Sequence, residues 1–125
     1  MLTAAAFRLE GSRSAAAVTA RLGLVPTEAV EVGGTGRRTH SLWLLSTGAA
    51  SEPRELGDQL DRLLTVLEPV TRELFELVDA GYHASWFCFV ASHATEHAVE
   101  LDRALLSRLL ALPGDLLLDV CGDEE

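Results

Sequence analysis

The apolar positions of this chain change period along its length, and those changes mark its elements. From Tyr82 to Ser92 the run YHASWFCFVAS alternates with a period of two. Trp86, Cys88 and Val90 fall on one face of an extended segment, Phe87, Phe89 and Ala91 on the other. Neither face shows water a polar row, so the segment is expected to be a strand in the middle of a sheet, covered on at least one side. Four of the chain's aromatic residues lie in it, which places the core there. In LTAAAFRL, residues 2–9, Phe7 and Leu9 share a face and indicate a first strand. Glu28 to Val32 is a marginal second strand. HSLWLLST, residues 40–47, is a third, with Leu42 and Leu44 on one side and Trp43 and Leu45 on the other. The glycine-rich stretch Gly33 to Arg38 joins these two as a loop, and they pair antiparallel. DLLLDVCG, residues 115–122, is a closing strand with a continuous apolar run.

Between the strands the period shifts to that of a helix. Ser14 stands where an N-cap belongs, Val18 and Leu22 fall four apart, and Gly23 suits a left-handed C-terminal position. After the polar linker GAASEPREL, Leu56, Leu60, Leu63, Leu64 and Leu67 form one stripe, with Asp58, Gln59, Asp61 and Arg62 outside. Pro69 breaks that helix and starts another, which turns Val70, Leu74, Leu77 and Val78 inward and ends at Gly81. HATEHAVE leads into a last helix striped by Leu101, Leu105, Leu109 and Leu112 and stopped by Pro113-Gly114.

The order β-α-β-β-α-α-β-α-β predicts a single α+β domain over residues 1–125. It is a mainly antiparallel mixed sheet of four to five strands with helices packed on one face, and it begins in the ferredoxin-like split βαβ manner. The other face then needs cover from elsewhere. Its Phe or Trp row, with Trp43 and Trp86, becomes a candidate surface for a homodimer or another protein.

Charge narrows the partners. The formal net charge is −9, which disfavours nucleic acid and anionic membranes, both bound chiefly through positive charge. A basic protein would complement it. Every basic residue is Arg, a bias that fits a GC-rich genome. No apolar run reaches membrane-spanning length, and MLTAAAFRLEGSR lacks the basic start and cleavage site of a signal peptide. Cys88 and Cys121 have neither metal-ligand spacing nor the look of a secreted framework. A cytoplasmic protein with reduced thiols is expected.

Several of these pieces together resemble a known family. LGLVPTE after the first helix, HSLWLLST after a glycine-containing loop, the leucine helix followed by a proline-started one, and the final LLLDV are similar to the bacterial DUF4279 family. The likeness covers nearly the whole chain, and its specificity lies in order and spacing. The chain departs from the pattern in ending DVCG, where an aromatic residue would follow the aspartate, and in lacking lysines after Pro26. The resemblance implies a compact α+β domain of bacterial origin. Since the family is of unknown function, it carries over no catalytic residue.

Two segments have the residue types for chemistry. HATEH, His93 to His97, fits the H-x-x-E-H pattern in which two imidazoles one helical turn apart hold a metal and Glu96 acts as base. Glu100 could add a carboxylate one turn further on. Only 28 residues follow His97, few for a third ligand, and the carboxylates equally suit a helix N-terminus. In GGTGRR, Arg37 and Arg38, with His40 nearby, could cradle an anion, although the ending of a phosphate-binding loop is missing. No nucleophile motif appears, so no catalytic residue and no cofactor is assigned. The expected function is a small non-enzymatic protein-interaction module, immunity- or adaptor-like. The competing reading is a metal-dependent or anion-binding enzyme built on HATEH and GGTGRR.

Overall fold

The computed structural model describes residues 2–33, 39–47, 55–92 and 98–122. Along the chain run β1 (Leu2–Gly11), α1 (Ala15–Leu22), β2 (Glu28–Val30), β3 (Ser41–Ser46), α2 (Leu56–Leu67), α3 (Thr71–Asp79), β4 (His83–Ser92), α4 (Arg103–Leu110) and β5 (Asp115–Gly122). The strands form one sheet in the order β2-β3-β1-β4-β5. The first four are antiparallel neighbours, as in a split βαβ sheet, and β5 is laid parallel to β4 after the α4 crossover. This is the α+β architecture expected from the period changes.

Register decides what the helices cover. Leu9 stands opposite Trp43 on one side and Ala84 on the other, Phe7 opposite Leu45 and Trp86, and Ala5 opposite Cys88. Side chains paired in this way share a face, and this face is the buried one. Phe7 meets Trp86 edge-on, with centroids 4.8 Å apart. Leu56, Leu60, Leu64 and Leu67 of α2, Leu74 of α3 and Val18 of α1 close over it. The Trp43 indole N–H donates to Thr19 Oγ1 on α1 (3.0 Å) and that of Trp86 to the Pro113 carbonyl (3.2 Å), so neither buried donor is unsatisfied.

The structure corrects the sequence in four places. Trp43 and Trp86 are 0% and 1% exposed; packed under the helices, they have no surface to give a partner. The strand from Tyr82 to Ser92 lies inside the sheet, as expected, between β1 and β5, but the centre of the five strands is β1. It alternates Ala5, Phe7 and Leu9 toward the helices with Ala4, Ala6 and Arg8 toward the open face. Gln59 is buried, not outside, since it lies three residues after Leu56 and four before Leu63 and therefore shares their helix face. Finally, α4 begins at Arg103, later than HATEHAVE suggested. Asp102 caps it by accepting from Leu105 N–H (2.8 Å), which leaves Glu100 and Leu101 outside the helix. At Pro69 a single 3₁₀ turn, Glu68–Val70, intervenes before α3 starts.

The N-terminus of α1 is held from two directions. Ser14 Oγ accepts from Ala17 N–H, as its N-cap position implied, while the Glu31 carboxylate accepts from Ala15 N–H (2.7 Å) and Ala16 N–H (3.1 Å). A negative group on exposed helix donors is favoured there, and the backbone hydrogen bonds hold the Glu31 carboxyl below its ordinary range. A carboxylate whose pKa falls on folding contributes stability above its unfolded pKa and loses it as pH drops through the folded value. Glu31→Gln is therefore expected to lower the thermal midpoint at pH 7. The gap from wild type should narrow as the pH falls below the normal glutamate range, a convergence readable in melts from pH 7 to pH 3.

Candidate interaction surface at the sheet edge

The least expected feature of the sheet is β5. A leucine-rich run normally belongs to a strand covered on both sides, yet all eight residues of β5 are exposed. In its register with β4, Leu116, Leu118 and Val120 pair with Trp86, Cys88 and Val90 and share the helix face. Leu117, Asp119 and Cys121 pair with Phe87, Phe89 and Ala91 and share the open face. The helices stop short of this strand: Val120 is 68% exposed, and Leu116, Leu117 and Leu118 are about half exposed. The outer edge of β5 has no strand beside it among the described residues.

The apolar surface continues onto α4. Leu110 is 84% exposed and Leu106 partly so. Between them and the start of β5 lies a hollow of about 370 Å³, lined by Trp86, Leu106, Leu109, Leu110, Leu112 and Leu116 among others. Among the described residues Asp115 is the one titratable group in its lining. That lining is predominantly leucine, with the Trp86 ring at its base.

Position 8 was also passed over by the sequence reading. Arg8 stands on the open face of β1 with its guanidinium carbon 4.8 Å from the Phe87 ring centre, and its Nε is buried with no hydrogen-bond partner among the described residues. The signal was an arginine between Phe7 and Leu9, inside the alternating part of the first strand. The Phe half of the expected Phe or Trp row is thus on the open side of the sheet: Phe87 and Phe89 are only partly buried, whereas the tryptophans face the helices.

Of the residues singled out for chemistry, His93, Glu96, His97, Arg37 and Arg38 lie outside the described residues. His40 is exposed just before β3, with Nδ1 3.0 Å from Thr39 Oγ1. Glu100 lines a second hollow, of about 300 Å³, with Asp58, Asp61 and Asp102. That acidic cluster already holds a cation: Arg108 donates to Asp61 (2.5 Å) and through two nitrogens to Glu68 (2.8 and 3.1 Å), lowering the Glu68 pKa and tying α4 to α2 and the turn after it. Among the described residues no three His, Cys, Asp or Glu side chains are grouped as metal ligands would be.

Cys88 is fully buried, and desolvation pushes its thiol up to about 11. Cys121 is exposed on the opposite face of the sheet, so the two thiols are free and turned away from each other. Among the described residues no helix is long and apolar enough to cross a membrane.

Comparison with known proteins leaves the chemistry open. One family model matches residues 1–122, that of a domain of unknown function, DUF4279. No curated protein and no solved structure matches the chain.

Proposed function

Since the chain belongs to the DUF4279 family, whose description assigns no activity, we propose a function from its own surface: a non-enzymatic protein-interaction module that meets its partner along β5. The carrying observation is that a strand of leucine and valine is exposed at every position. Natural sheets blunt such edges with lysine, proline, bulges or brevity, because a bare row of backbone donors and acceptors recruits another strand. β5 has no lysine and no proline and is eight residues long, and its two charges, Asp115 and Asp119, both lie on the open face. Burying its apolar side chains would gain roughly 25 cal/mol for each Å² removed from water. Strand addition supplies backbone hydrogen bonds and alternating side-chain contacts in one step.

Supporting this reading, the hollow beside α4 extends the apolar strip and offers a socket for a bulky side chain. The acidic surface would steer basic partners and repel nucleic acid. A cytoplasmic setting in a bacterium fits the two free thiols and the resemblance already described.

Crosslinking in the native host tests the proposal. The chain should appear in adducts heavier than itself, and Val120→Arg should remove them by charging the strip. Phe75→Arg, at an exposed apolar position on α3, should leave them intact. Adducts that survive Val120→Arg unchanged would show that contacts are made elsewhere and end the proposal.

A further inference from the structure

The structure assigns the open edge of β5 to a second copy of this chain, an inference that rests on the interaction reading above and names its occupant. The two edges of the sheet differ sharply. At one end β2 has three residues, follows Pro26 closely and includes Glu28, all features that discourage pairing. At the other, β5 has eight residues and no proline, and its two carboxylates, Asp115 and Asp119, both lie on the open face, leaving the helix-face row uncharged. A twofold axis normal to the sheet would lay β5 antiparallel against itself, making one continuous sheet from two.

Register can be read from the sequence of β5. Opposed side chains must share a face, so the axis passes through a residue and each choice fixes every pair. Centred on Leu117, Asp115 of each copy faces Asp119 of the other. Centred on Asp119, that carboxylate faces its own counterpart. Centred on Leu116 or Val120, the overlap shortens and part of the leucine row stays in water.

Centred on Leu118, residues 115–121 all pair, and no two carboxylates are directly opposed. On the helix face Leu118 meets Leu118 of the copy and Leu116 meets its Val120, twice over by symmetry. That row is apolar from end to end. It brings Val120 of the copy beside Leu116, which lines the hollow under Leu106 and Leu110, so the contact spreads from the strand onto α4. On the open face Asp119 faces Leu117 of the copy, and the two Asp119 carboxylates lie on a diagonal, roughly 7–8 Å apart. Their repulsion, added to that of two chains each of charge −9, is screened by salt.

Light scattering on the purified chain tests the inference. A mass near twice the 13.4 kDa of one chain is expected at high micromolar concentration, with the dimer share rising as NaCl is added. A basic partner on the same strip would instead be released by salt. Leu118→Lys should weaken self-association at least tenfold, and because Leu118 is half exposed the circular dichroism spectrum should not change.

Register has its own readout. In a Cys121→Ser background, oxidised Leu118→Cys should give a disulfide-linked dimer, its Cβ atoms being about 4.5–5.5 Å apart across the axis. Leu116→Cys should not, since its twin would lie four residues away along the strand, roughly 13 Å. A monomeric wild type at every concentration and salt overturns this inference. If host adducts still vanish with Val120→Arg, the interaction reading survives that result and the occupant is a different protein. Crosslinking of Leu116→Cys but not Leu118→Cys overturns the assigned pairing.

Discussion

Trp43→Glu is expected to leave this chain unfolded in water at 25 °C. The side chain is 0% exposed and shares the helix face of the sheet with Leu9 on β1 and Ala29 on β2, with Thr19 of α1 holding its N–H. Truncating a buried tryptophan costs about 3–5 kcal/mol. An uncompensated charge in its place adds several more, against a total stability of about 5–15 kcal/mol for a domain of ordinary size. Far-UV circular dichroism should show loss of native structure, with no cooperative urea transition. Trp43→Phe should instead fold, at a cost of about 1–3 kcal/mol, because it keeps most of the packing but leaves Thr19 Oγ1 without its donor. A natively folded Trp43→Glu protein would mean that this indole faces solvent or a partner and that the helices cover the other side of the sheet.

That contrast shows what periodicity can and cannot report. Leucine spacing in α2 and the leucine and aromatic alternation of β3 and β4 were legible because burial imposes a period, and the α+β order followed from it. Ser14, Gly23 and Pro69 were legible because each answers a local backbone requirement. Which face of a two-faced strand meets the helices is a different kind of fact. In β4 both faces are apolar, so its own residues could not say whether Trp86 or Phe87 turned inward; the register with β1 decides, and register comes from the whole sheet. β5 misleads for the same reason. Its continuous apolar run gives no sign that all eight of its residues stay exposed.

The same limit applies to the site. HATEH and GGTGRR were conspicuous because metal and anion chemistry has fixed residue types, whereas a docking strip is defined by what fails to cover it. Spacing alone cannot announce an absence of cover. One trace was present: Asp115 and Asp119, four apart in an otherwise apolar strand, keep carboxylates on the open face and leave the helix face of β5 wholly apolar. An edge strand whose charges all lie on one face still presents an unbroken apolar row on the other face to a strand that pairs along it.

Gly114→Ala is expected to cost about 2–6 kcal/mol. Gly114 has φ +122°, where side chains other than glycine's are strained, typically by about 1–3 kcal/mol. The space is also taken: a Cβ there would stand 3.1 Å from Trp86 Cδ1, 3.2 Å from its Nε1 and 3.3 Å from the Ala84 carbonyl carbon. The indole cannot retreat, because its N–H is held by the Pro113 carbonyl and its ring is packed on Phe7. Forcing a methyl into such a site adds about 1–3 kcal/mol. Gly23→Ala is the matched comparison, with φ +69° but nothing within 4 Å of its Cβ, and should cost only about 1–2 kcal/mol. Urea titrations followed by tryptophan fluorescence separate the two. Equal losses would mean that the close approach to Trp86 contributes nothing. A larger loss for Gly114→Ala would show that the start of β5, and with it the aim of the exposed strip, is set by one backbone turn pressed against the core indole.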